Sequence, residues 1–104
     1  MQIIDGFEAN GLKVTIVKKR HTMVWDSDGV KDDYLELYLE SLRSWMRDIC
    51  AAEGLTVYDV YKILRLEPKK AIYAHMGWTA TDIFKMDYHV DDDKILIRLH
   101  CRFL

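Results

Sequence analysis

The sequence predicts a two-layer α+β fold: an N-terminal β-hairpin, a long amphipathic helix followed by a shorter one, and a C-terminal antiparallel hairpin. Three observations carry that prediction. Residues 84–103 alternate apolar and polar side chains with the period of a strand. Residues 30–53 repeat their apolar side chains with the period of a helix. Asn10-Gly11 separates two short alternating runs near the start of the chain.

The N-terminal hairpin is expected over residues 2–17. Asn-Gly suits a type I′ turn, because both central positions of that turn need φ > 0. Leu12, Val14 and Ile16 alternate with Lys13 and Thr15, and Ile3, Phe7 and Ala9 do so less regularly. Ile16 and Val17 break the alternation, and Lys18-Lys19-Arg20-His21 follows, which predicts a bulge or strand end near Lys18. Val17, Met23, Val24 and Trp25 resume it, and Asp26-Ser27-Asp28-Gly29 has the composition of a turn.

The long helix is predicted from Val30 to Glu53. On a helical wheel Tyr34, Trp45, Tyr38, Ile49, Leu42, Leu35, Met46, Leu39 and Cys50 fill an arc of roughly 160°. Arg43, Glu36, Arg47, Glu40, Asp33 and Ser44 occupy the opposite side. Asp32 and Asp33 suit the positive end of the helix dipole, and Gly54 suits the position just past the end. A second helix starts at Thr56, where Thr56 and Asp59 form a variant capping box. Val57, Val60, Tyr61 and Leu64 give its apolar face, and Pro68 ends it near Leu66. Residues 69–77 fit a strand by alternation, and fit a short helix equally well with Pro68 at its first position and Gly77 past its end.

The C-terminal hairpin has its register set by parity. Opposed residues share a face, so Val90 must meet Ile95, Tyr88 meet Ile97, and Met86 meet Leu99. Asp87 then faces Arg98 on the outer side, a pair worth ~0.2–1 kcal/mol. The core is expected to comprise Ile95, Ile97, Leu99, Phe103, Met86, Tyr88, Leu35, Leu39, Leu42, Met46 and Ile49.

Composition bounds the function. The chain has 104 residues, half of them hydrophobic, and a net charge of -2. That suffices for one domain, residues 1–104, with a real core and no disulfide scaffold. Cys50 and Cys101 belong to no CxxC pair and are expected as reduced structural thiols. The N-terminus lacks a charged region and a long apolar run, and no segment approaches a membrane span, so the expected location is the cytoplasm, with no membrane partner. The weak negative charge gives no overall field for nucleic acid.

Asp87, His89, Asp91, Asp92 and Asp93 form an acidic cluster, but most of it falls in a hairpin turn without the spacing of a calcium loop. His21, His75, His89 and His100 lie on separate elements without metal-ligand spacing. No catalytic, metal or cofactor signature is present, so no cofactor is assigned and an enzyme is not expected.

Residues 55–76 carry the closest pattern match. Thr56 caps a first helix, Leu64 and Leu66 bracket a turn containing Arg65, and Lys69, Lys70 and Tyr73 follow on a second element. This stretch resembles the helix-turn-helix of bacterial DNA-binding domains. The resemblance implies a winged-helix-like regulator that reads DNA with Lys69, Lys70 and Tyr73, the C-terminal hairpin serving as wing. The leading expectation is different: a small non-enzymatic protein that works by contact with another protein or a second copy of itself, of the accessory, inhibitor or immunity type found in bacteria and phages. Tyr34, Leu37 and Trp45, at the edge of the long helix's apolar arc, are its candidate contact residues. Lys18, Lys19 and Arg20 are either a charged strand edge or a contact for an anionic partner.

Overall fold

The computed structural model describes residues 2–17, 32–91 and 93–104. Strands β1 (Gln2–Glu8) and β2 (Gly11–Val17) precede helix α1 (Asp32–Glu53). Strand β3 (Leu55–Thr56) leads into helix α2 (Val57–Ile63), a 3-10 turn over Ala71–His75, and strands β4 (Met76–Trp78), β5 (Met86–Val90), β6 (Lys94–Leu99) and β7 (Arg102–Phe103). One antiparallel sheet has the order β1-β2-β6-β5 and a smaller one the order β3-β4-β7. This is the α+β arrangement expected. The anticipated bulge near Lys18, the resumed alternation at 23–25 and the turn at 26–29 lie outside the described residues.

The β5–β6 register follows from parity as anticipated: Met86 faces Leu99, Asp87 faces Arg98, Tyr88 faces Ile97 and Val90 faces Ile95. On the other side of β6, β2 supplies Leu12, Val14 and Ile16 opposite Leu99, Ile97 and Ile95. Both strands are flanked on two sides, and their inward residues are the most deeply buried of the sheet. The expected core list omits the β2 trio, because nothing local marks a strand as central.

The first hairpin turns one residue earlier than Asn10-Gly11 suggests. Glu8 pairs with Gly11, so Ala9-Asn10 is the turn. Asn10 is not at positive φ, whereas Gly11 is at φ 150°. The need for glycine there is tertiary: a Cβ would lie 1.9 Å from the Leu99 carbonyl oxygen. The period-2 run of residues 95–103 is likewise not one strand. It breaks at His100-Cys101, and Arg102-Phe103 leaves to pair with β4 in the smaller sheet. Phe103, assigned to the core from its parity, is therefore 59% exposed on an edge strand.

Helix α1 buries Leu35, Leu39, Leu42, Met46 and Cys50 in the core, a stripe with the spacing of its wheel. Each such side chain contributes about 1.5–3 kcal/mol. Arg43, assigned to the solvent side, instead reaches β5: its guanidinium donates to the Met86 carbonyl at 3.0 Å and lies 4.9 Å from the Tyr88 ring centre. The helix ends at Gly54, at φ 81°, with its N–H on the Cys50 carbonyl at 2.9 Å.

Helix α2 has the capping box read from Thr56 and Asp59, with both reciprocal bonds formed. It stops at Ile63, earlier than Pro68 would require. The Arg65 N–H bonds the Lys62 carbonyl and the Leu66 N–H bonds the Tyr61 carbonyl. That is a Schellman closure, with Arg65 at φ 59° where glycine is the usual residue. Leu66 is buried beyond it, so the core contact of Leu66 ends the helix before the proline acts. Residues 69–77 combine both local forms, a 3-10 turn and then β4. Pro68 lies in the irregular run 66–70. Gly77 lies inside β4, where a Cβ would stand 2.2 Å from the Leu55 carbonyl oxygen.

Candidate functional site

The helix-turn-helix expectation is overturned by packing. Its second helix does not form, since residues 71–75 are a single 3-10 turn and residues 66–70 are irregular. Tyr73 is 0% exposed, with its ring centre 5.3 Å from that of Tyr61. Lys70 is turned to Asp5 at 3.5 Å, and Lys69 stands on the irregular run. The intended wing contains β6, which is enclosed between β2 and β5. Lys69, Lys70 and Tyr73 therefore do not form a reading surface.

What these residues build instead is an internal polar cluster. Asp5 lies opposite Val14, on the face of the sheet that carries the core. It accepts a 2.6 Å hydrogen bond from the Tyr61 hydroxyl and an ion pair from Lys70. The Tyr73 hydroxyl is buried beside them without closing a hydrogen bond. Burial pushes the Asp5 carboxyl up, but the Tyr61 and Tyr73 hydroxyls and the Lys70 charge outweigh it and hold its pKa below the ordinary value. Burial, then the Asp5 carboxylate, pushes both phenols up. Phe7 covers the group, edge-on to Tyr73 at 6.4 Å with Lys70 5.7 Å from its ring centre. The Asp5 carboxylate is thus answered from within, by Tyr61 and Lys70.

Several charged residues of the C-terminal hairpin are also paired, though not as register alone suggests. Asp87 faces Arg98, yet its carboxylate meets His100 at 2.8 Å while Arg98 reaches Glu8 at 3.4 Å. His89 meets Asp91 at 2.9 Å. Among the described residues no three His, Cys, Asp or Glu side chains are grouped to hold a metal ion.

Two apolar depressions stand out among the described residues. The first is a groove of about 540 Å³ walled by Phe7, Ile72, Met76 and Phe103, with Cys101 in its floor. Its flanking charges are engaged: Glu8 with Arg98, and Arg102 with Asp82 at 3.1 Å. Burial pushes the Cys101 thiol up to about 11, so it stays protonated and a poor nucleophile.

The second surface lies where α1 meets the end of α2. Tyr38, Leu42 and Trp45 of α1, Ile63 and Lys62 of α2, and Arg65 of its closing turn surround a depression of about 400 Å³. Trp45 is 55% exposed, and Leu37, two turns back along the same helix, is 67% exposed. Leu37, Ser41 and Trp45 follow one another at i, i+4, i+8, the ridge by which helices pack against partners. The Lys62 ammonium lies 4.9 Å from the Tyr58 ring centre, and among the described residues no carboxylate lines the depression.

Leu37 and Trp45 are thus brought to a solvent-facing surface, while the Tyr34 side chain lies outside what the structure describes, as do Lys18, Lys19 and Arg20. The residues missed from sequence are Lys62, Ile63 and Arg65. One local signal points to them: a cationic residue stands where the turn after α2 calls for glycine.

Comparison with protein-family models, curated proteins and solved structures found no match. Among the described residues no helix is long and apolar enough to cross a membrane.

Proposed function

We propose that this is a small non-enzymatic protein of the accessory, inhibitor or immunity type, which acts in the cytoplasm by contact with another protein through the exposed face of α1. The observation that carries the reading is the solvent-facing Trp45, seated on the wall of an open depression with Leu37 on the same ridge. An exposed tryptophan beside an apolar hollow is the composition of an interface hot spot, because a large rigid ring gains most from being covered. Two free cysteines, Cys50 and Cys101, accord with a reducing compartment.

The test is a comparison of captured partners. Immobilised protein and its Leu37→Ser/Trp45→Ser variant are exposed to lysate of the source cells, with fold checked by circular dichroism and self-association by sedimentation. A specific protein retained by the native chain and lost by the folded variant supports the reading, and so does self-association lost in the same way. Equal capture by both, or none by either together with monomeric sedimentation, overturns it.

A further inference from the structure

We infer that the depression between α1 and α2 receives an acidic segment of the partner, one that carries apolar anchors flanked by carboxylates. This deepens the protein-contact reading above and rests on it. Charge complementarity decides the chemistry. Lys62 and Arg65 stand at the depression, both exposed, and among the described residues no acidic side chain lines it. No ion pair to either joins the described residues.

Arg65 adds a second, independent observation. Its backbone sits at φ 59°, and among the described residues it is the one non-glycine at positive φ. A side chain in that region is disfavoured relative to glycine, and such departures concentrate where a side chain has a task. Among the described residues no side chain pairs with the Arg65 guanidinium to offset the strain, so it stands at the mouth of the hollow at a cost to stability. The Schellman closure makes that placement rigid, since two backbone hydrogen bonds fix the turn.

The lining also discriminates between occupants. Leu42 and Ile63 are aliphatic and suit leucine-like or aromatic side chains, while a nucleic-acid strand needs successive stacking platforms along a continuous basic track.

The experiment pans displayed short random peptides against the intact protein. Enriched sequences are expected to combine Asp or Glu with Leu, Ile, Phe or Trp. Lys62→Glu/Arg65→Glu should weaken these peptides by about tenfold or more and turn the enrichment towards Lys and Arg. Arg65→Gly should weaken them while raising the melting temperature, which separates a binding role from a folding one. Trp45-dependent peptides without an acidic excess would overturn this inference and leave the protein-contact reading standing. No Trp45-dependent peptide at all would count against that reading as well. A single-stranded oligothymidylate that binds and competes at Arg65 would make the occupant a nucleic acid and overturn the inference.

Discussion

Two clusters of aromatic and cationic side chains in this protein use the same residue types to opposite ends. Around Asp5, two tyrosines and Lys70 converge on one carboxylate, which lies on the core side of the large sheet. Between α1 and α2, Trp45, Lys62 and Arg65 border a depression that no acidic side chain of the described residues lines. The first cluster closes its own charge balance and ties β1 to α2 across 56 residues of chain. In the second, no carboxylate of the described residues answers Lys62 or Arg65. A cation beside aromatic rings therefore says little by itself; whether a carboxylate of the same chain already answers it separates a structural cluster from a docking surface.

Breaking the closed cluster should have the largest effect on stability. Tyr61→Phe removes the hydroxyl that meets Asp5 and leaves the ring in place, so urea denaturation should show a loss of about 1–3 kcal/mol. A loss under about 0.5 kcal/mol would mean that the Tyr73 hydroxyl takes over the bond, and the contrast between a fully used and an unused cluster would soften.

Acid should weaken the same cluster. The Asp5 pKa is lowered from 3.8 on folding, so between that value and the lower one the unfolded chain binds more protons than the folded one. The contribution is therefore fully present above the unfolded value and is lost as pH falls through 3.8 to the folded value. Denaturation midpoints measured from pH 6 to pH 2 should fall less steeply in Asp5→Asn than in the native chain. Parallel curves would show that the carboxylate is not selectively stabilised.

The open cluster should respond in the reverse direction, and least. Arg65→Gly relieves the positive φ and should raise stability by a few tenths to about 1 kcal/mol, after the greater chain freedom of glycine is set against the relief. A loss instead would mean that the Arg65 side chain holds the turn together, and the open cluster would be structural after all.

Local grammar made much of the fold readable. Parity gave the β5–β6 register, the capping box placed the start of α2, and Gly54 marked the end of α1. What escaped depended on distant chain. The shift of the first turn follows from Leu99 approaching Gly11, 88 positions away. Asp5 faces the core because Tyr61 and Lys70 receive it there, which no window around Asp5 reveals. Tyr73 reads as a surface residue until the 3-10 turn sets it against Tyr61. At the candidate site, Leu37 and Trp45 were visible from the wheel alone. Lys62, Ile63 and Arg65 join them only through the way α2 lies against α1.

The central place of β2 has a consequence for synthesis. Leu12, Val14 and Ile16 face Leu99, Ile97 and Ile95, so the last-made central strand completes the cover of nearly the first-made one. At ribosomal speed the hairpin waits on the order of 4–16 s for those partners, with β2 an unpaired edge meanwhile. Such long-range pairing slows folding and prolongs exposure to aggregation. A nascent chain stalled before residue 94 should therefore be a preferred substrate for chaperones, and release from them should coincide with the arrival of β6.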